Sequence, residues 1–484
     1  MIFVVFVYLI FLFAISFYTS RKANDFTFYA GNRQSLWYVV AYGMIGASLS
    51  GVTYLSQPGW VGTTQFSYMM TVFGFVAGYA VIALVLLPLY YRLRFTSIYT
   101  YLEQRFGDFT YKTGASFFIL SRGTGAALRL FLSVYILDLF VFGPLGVPFW
   151  LLASLSVLLV LLYTFKGGVR TIVWTDTLQT TFMLLSVVIT IFLICRSLEW
   201  NFTDMLSNVR NSNYSTVMIT DWTDQRFFLK NFFFGVFVTI AMTGLDQDMM
   251  QKNLSCRNLR DAQKNMFTFS GILVGVNILF LLLGAVLFIY AEANNIVVES
   301  SDRLFATVSF QYLGAFAGIV FLVGLIAAAW SSADGALTAL TTSFCIDVIG
   351  LDRSAFSDKK KISVRYVVHF SFAVLFLALI MLFKQLDNKA VIDRFFTIAG
   401  YTYGPLLGLY AFGLFTRFKV CDMAVPLIAI ASPVIVYILD NNSEQWFNGY
   451  QFGHELLIVN GLITFAGLFL IMLFRNRRFG VKIF

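Results

Sequence analysis

Apolar runs of roughly 20 residues, each long enough for one helical crossing of a bilayer, recur from one end of the chain to the other. Thirteen can be counted, near 1–20, 36–57, 66–91, 113–141, 148–165, 171–195, 229–249, 266–291, 313–348, 364–383, 394–415, 421–439 and 456–474. Polar and charged residues collect between them. The pattern predicts an all-α polytopic membrane protein with about thirteen transmembrane helices. The run at 313–348 is too long for one simple crossing, so it is expected to tilt or to continue into the cytoplasm. In the first run, MIFVVFVYLIFLFAISFYTSRK, the basic residues Arg21 and Lys22 follow the apolar part, and there is no small-residue cleavage site. It reads as an uncleaved helix with its N-terminus outside.

That start makes alternate loops and the C-terminus cytoplasmic. Those segments hold most of the 34 Lys and Arg, among them Arg92, Arg105, Lys252, Arg257, Arg260, Lys359, Lys360, Arg365 and Arg475. The bias follows the positive-inside rule and supports the register of thirteen. Spans two to six and seven to eleven then run with opposite polarity, the layout of an inverted five-plus-five repeat. The expected division is 1–35 (an extra N-terminal helix and inside loop), 36–228 (first repeat and outside loop), 229–420 (second repeat) and 421–484 (two C-terminal helices and a short tail). The first span of each half is interrupted. Span two, YGMIGASLSGVTYLSQPGWVG, carries Gly43, Gly46, Gly51, Pro58 and Gly59; span seven, FGVFVTIAMTGLDQDMM, carries Gly235 and Gly244 before a charged run. Matching interrupted spans point to a binding site at the midplane; close helix packing through small residues is the alternative.

Composition agrees. The 484 residues are 59% hydrophobic and 12% charged, against about 25% charged in soluble domains. The net charge of +9 reads as a topology signal and an attraction to the inner leaflet, not as a nucleic-acid site. Cys195, Cys256, Cys345 and Cys421 are far apart, which argues against metal or disulfide chemistry. No long soluble domain is expected, and a fused kinase or hydrolase is excluded by length.

The densest chemistry lies in IAAAWSSADGALTAL at 326–340. Within four residues of one apolar span stand Ser331, Ser332 and Asp334. Oxygen groups at membrane depth are costly unless something needs them, and a hard cation such as sodium is held by oxygens. Ion-coupled transport follows as the lead reading.

Four stretches then resemble the sodium:solute symporter family, the group of sodium/galactose, sodium/proline and sodium/sialic acid symporters. They are GASLSGVTYLSQPGWVG at 46–62, KGGVRTIVWTDTLQ at 166–179, TGLDQDMMQKNLSCRNLRDAQKN at 243–265 and AAAWSSADGALTAL at 327–340. The resemblance implies a LeuT-type fold, with one helix before a ten-helix core and two after it, and transport driven by the sodium gradient. It implies one sodium ligated by the carbonyls of Gly46, Leu49 and Ala328 and the hydroxyls of Ser331 and Ser332. Some relatives hold a second sodium, at positions matching Asp176, Ser331, Asp334 and Gly335. Here Asp334 replaces a serine and Gly335 a hydroxyl, which leaves either a second sodium or a fixed polar network.

The solute is expected between the two broken helices. Ser48, Ser50, Thr53, Thr71, Phe75 and Asp246 are the positional candidates. Arg122 and Arg129, seven apart and so on one helix face, would either clamp a solute carboxylate or pair with a buried Asp such as Asp138 or Asp176. Asp246 has the same alternative of a salt bridge. His369 and Asp347 read as buried polar residues. The expected partners are a small polar solute, sodium and the bilayer, with a monomer as the functional unit in a bacterial inner membrane. A passive channel or facilitator and a transporter-like sensor are the competing readings. An enzyme is not expected: His369 and His454 stand apart, and no HExxH or GxSxG motif lies near a span end.

Overall fold

The computed structural model describes residues 2–21, 25–93, 96–222, 224–385, 391–450 and 452–479, with no side-chain description for 2, 25–26, 391–398 and 474–479. Among these residues the chain is helical, and its one extended pairing is an isolated bridge between Ser35 and Cys256. The long helices are α1 (Ile2–Ser20), α2 (Trp37–Ser48), α3 (Gly51–Thr64), α4 (Tyr68–Val81), α5 (Asp108–Leu137), α6 (Phe149–Thr164) and α7 (Val169–Ser197). They continue with α8 (Phe228–Thr239), α9 (Gln247–Leu254), α10 (Leu259–Ala293), α11 (Gly314–Ser343), α12 (Asp358–Gln385), α13 (Val391–Phe415), α14 (Val425–Asn441) and α15 (Leu456–Phe479). Among the described residues nine helices are long and apolar enough to cross a membrane, or ten with α8 and α9 taken as one bent span.

Helices of similar hydropathy differ sharply in burial. The apolar windows of α5 and α11 are 72% buried, those of α1 and α14 only 22%. The first two are core helices that carry Ser and Arg inward. The others present Phe3, Phe6, Leu427 and Ile430 outward, where lipid satisfies them. α11 together with the wide helical turn after it spans Gly314–Val348, so the long run of the sequence is one continuous helical element.

Both interrupted spans are interrupted in the structure. After Ser48 the backbone goes extended at Leu49 (φ −91°, ψ 97°) and Ser50 (φ −85°, ψ 176°) before α3 begins. Small residues allow the break to pack. A Cβ on Gly46 would stand 2.4 Å from Thr180 Oγ1, and one on Gly51 would lie 1.9 Å from Ser133 Oγ. The second break follows a wide turn over Ile240–Gly244, and the chain bends by 67° before α9. Asp246 caps α9, its side chain accepting from the N–H groups of Asp248 (2.9 Å) and Met249 (3.2 Å). That satisfies orphan donors at the positive end of the helix.

One expectation changes. Lys252 and Arg365, counted with the cytoplasmic loops, are 2% and 3% exposed. Lys252 sits on α9, which folds back into the protein instead of leaving it. His369 and Asp347 gain partners: His369 lies between Thr341 (2.8 Å) and Thr164 (3.0 Å), and Asp347 accepts from Tyr111 (2.8 Å) and Ser343 (2.6 Å).

Candidate functional site

The first break lies against α11. Ser331 Oγ would be 3.0 Å from a Cβ on Gly46, and the Ala329 Cα 3.5 Å from one on Gly51. Ala328, Ser331 and Ser332 are buried at that contact. A helix end leaves its last carbonyls without intrahelical partners. Here Leu49 N–H closes on the Ile45 carbonyl at 2.8 Å, and α3 starts its own ladder with Tyr54 N–H on Ser50 O at 2.9 Å. The carbonyls from Gly46 to Leu49 therefore fall between two ladders, beside two serine hydroxyls. Of the sequence candidates, Gly46 and Ser331 lie against each other here, with Leu49 at the end of α2 and Ala328 and Ser332 buried near Ser331 on α11. Ser331 donates to Asp176 Oδ1 at 2.7 Å and Ser332 accepts from Arg129 Nη1 at 3.3 Å, so each hydroxyl oxygen keeps a lone pair for a cation.

Next to the break is a cavity of about 120 Å³. Ser48, Ser50, Thr53, Phe75, Arg122 and Arg129 are on its wall, joined by residues the sequence did not single out: Gln57, Trp60, Tyr68, Thr243 and Asn277. Gln57 Nε2 donates to Asn277 Oδ1 at 2.9 Å, which ties α3 to α10 and orients both amides. A larger cavity of about 510 Å³ carries Thr71, Arg226, Lys230 and Glu455, and it shares Trp60 and Tyr68 with the smaller one. Those two rings, 5.5 Å apart, and Phe75, 6.2 Å from Tyr68, form the partition between the cavities. Thr71 thus faces the larger cavity, and Asp246 lies on neither wall.

The second break is ionic. Arg122 bonds Asp248, and its Nε is 3.9 Å from Asp246 Oδ2. Lys252 Nζ is 3.4 Å from Asp248 Oδ1 and 2.9 Å from Asp176 Oδ2. Tyr403 donates to Asp246 at 2.6 Å, and Tyr163 donates to Asp334 at 2.8 Å. All four carboxylates and both cations are buried. Arg122 pairs with Asp248 and Asp246, not with Asp138 or Asp176 as the sequence suggested. Asp138 pairs with Lys384 at 3.2 Å, and Asp176 with Lys252.

Asp248 and Lys252 were missed because they follow span seven in a charged run that reads as a solvated loop. A signal existed: both recur on one helical face with Asp246's cap, at i and i+4, directly after the Gly244 break.

Residues 28–419 match the model of the sodium:solute symporter family. Sodium/sialic acid symporter NanT of Aliivibrio fischeri is 22% identical over 471 residues, covering 95% of this chain and 91% of that protein. Sodium/sialic acid symporter SiaT of Proteus mirabilis is 23% identical over 474 residues, covering 95% and 94%. Among solved structures, a sodium-coupled sialic acid symporter in a substrate-bound outward-open state superposes with a TM-score of 0.83 at 19% identity, over 97% of this chain and 96% of the other. That superposition shows the LeuT-type fold.

Proposed function

The chain belongs to the sodium:solute symporter family, and from that premise we propose that its solute is a small organic carboxylate, held by Arg129. Sodium-coupled symport of a small organic solute is the activity of the family, and no enzymatic chemistry is involved. Sodium is bound by the carbonyls of Gly46, Leu49 and Ala328 and the hydroxyls of Ser331 and Ser332. The solute occupies the cavity beside that break, with Ser48, Ser50, Thr53 and Gln57 as hydrogen-bonding groups and Phe75 as part of the aromatic partition.

The observation that carries the solute class is Arg129. Its guanidinium reaches the cavity and the Ser332 hydroxyl at once, so one side chain touches both the solute space and a sodium ligand. A carboxylate docked there lowers the local positive charge that Arg129 brings near the sodium. Each ligand therefore favours the other, which is what coupling requires. Arg122 is held by Asp248 and serves as scaffold. The two sialic acid symporters among the relatives suit a carboxylate as well.

The architecture that supports this cycle has thirteen crossings: the nine apolar helices, the bent pair α8–α9, the broken pair α2–α3 taken as its own span, α6 and α13. The N-terminus is outside, the C-terminus cytoplasmic, and the membrane is a bacterial inner membrane. Spans two to six and seven to eleven form the inverted repeats that rock about the two breaks.

Uptake into proteoliposomes with a solute panel tests the reading. Acetylneuraminate and simple monocarboxylates should accumulate only with an inward sodium gradient, and galactose should not. Sodium-driven uptake of galactose at the same rate as the carboxylates would overturn the solute class.

A further inference from the structure

The positions matched to a second sodium, Asp176, Ser331 and Asp334, do not present an open oxygen cage. Asp176 Oδ2 is 2.9 Å from the Lys252 ammonium, and its other oxygen accepts from Ser331. Asp334 accepts from Tyr163, which in turn accepts from Gln179 at 3.5 Å. Residue 335 gives no side-chain oxygen, and the space its side chain would take is used. A Cβ on Gly335 would stand 2.8 Å from Lys252 Nζ and 2.6 Å from Asp248 Oδ1. A side chain there would push the ammonium and the Asp248 carboxylate out of their present places.

Lys252 is 2% exposed and its charged end lies between carboxylates from α7 and α9, under the glycine of α11. A buried lysine is retained charged only where such partners surround it. A sodium ion bound to Asp176 would have to sit within a few ångströms of the ammonium, and two like charges at that range in a dry site repel strongly.

We infer that Lys252 is a tethered cation that takes the place of a second sodium, so that this protein binds a single sodium per cycle. The ammonium neutralises Asp176 permanently, remains with the protein, and carries no charge across the membrane. The small residue at 335 is the space that the ammonium group needs. This inference rests on the sodium site proposed above at the first break.

The test counts ions. Purified protein in detergent is titrated with radioactive sodium, and bound ions per folded protein are measured for the wild type, Lys252→Ala, Lys252→Gln and Lys252→Arg. The wild type and the arginine variant should bind one ion. Lys252→Ala should bind one more, with a Hill coefficient rising from one toward two. The slope of its melting temperature against the logarithm of sodium concentration should about double, as linkage requires for a second site. Lys252→Gln keeps most of the side-chain volume without the charge and decides the matter if the alanine variant does not fold. Two ions on the wild type, or no gain in either neutral variant, overturns the inference. Ser332→Ala separates the two readings: it removes a ligand of the first site only. If it leaves the wild-type count unchanged, the first site is misassigned, while the gain on removing Lys252 still stands or falls by itself.

Discussion

The two broken helices use one backbone device for opposite ends. At 49–50 the opened chain is met by hydroxyls, from Thr180, Ser331 and Ser133. At 245–246 it is met by fixed charge: Asp246 caps α9, and Arg122, Asp248, Lys252 and Asp176 follow as a chain of ion pairs. In the proposed function, the first break offers freed carbonyls to a cation that comes and goes. The second carries its own counter-charges, so nothing mobile is needed to hold it. An unwound segment in a membrane protein therefore does not by itself announce an ion site; the side chains around it decide whether the charge is imported or built in.

The sharpest way to break that contrast is to remove the hydroxyls at the first site. Ser331→Ala combined with Ser332→Ala deletes two charge-assisted oxygen contacts, each worth about 1.5–3 kcal/mol. Sodium affinity should fall on the order of 100-fold or more, and solute affinity with it, because coupled binding is reciprocal. Sodium-dependent thermal shift in sodium chloride against choline chloride reads it directly. A double variant whose melting temperature still rises with sodium as in the wild type would move the ion elsewhere.

At the second break the matching substitution is Asp248→Asn. It leaves Arg122 and Lys252 each short of a buried counter-charge, a loss of about 3–5 kcal/mol. The cost should appear as a lower unfolding temperature in sodium and in choline alike, with the midpoint of the sodium titration unmoved. A shift confined to the sodium midpoint would mean that the ionic break also takes part in ion binding, and the contrast would fail.

How far these regions were legible in the sequence follows the same line. The spans could be read because hydropathy is summed over some twenty residues, and the breaks because glycines cluster at 43–51 and precede the charged run at 244. Ser331 and Ser332 stood out as hydroxyls in an apolar run. Lys252 did not, because hydropathy gives a lysine near a span end to the cytoplasm; only the 67° bend turns α9 inward. The choice between Arg122 and Arg129 was equally hidden. Seven residues apart, they share a face, and it is Asp248, on another helix, that claims one of them.

Arg129→Lys probes the place where the two chemistries meet. Lysine keeps the charge and loses the two-pronged geometry, a difference of about 1–2 kcal/mol for a hydrogen-bonded charge. Affinity for a carboxylate solute should drop roughly 5- to 30-fold, with folded yield and sodium binding close to wild type. If carboxylate uptake is unaffected while folded yield falls, Arg129 is scaffold like Arg122. The solute would then be held by Ser48, Ser50, Thr53 and Gln57 alone.

The smallest effect belongs to an ion pair that water can reach. In the short helix Thr100–Arg105 between α4 and α5, Glu103 meets Arg353 through two bonds of 2.6 Å, and the guanidinium holds the Glu103 carboxyl below its ordinary value. The pair is two-pronged, which the buried ones are not, but its side chains are 23% and 56% exposed. A depressed folded value gives stability that is present above the unfolded value, about 4.3, and is lost as pH falls through the folded one. The contribution should therefore be constant from neutral pH down to about 5 and fade below about 4. Solvent screening limits it to about 0–1 kcal/mol. Glu103→Gln should lower the melting temperature by that little at neutral pH and by nothing at low pH, and 1 M salt should erase most of the difference. An effect of Glu103→Gln as large as that of Asp248→Asn would show that burial is not what separates the strong pairs from the weak, and that the short helix Thr100–Arg105, not the break, is where the helices are locked.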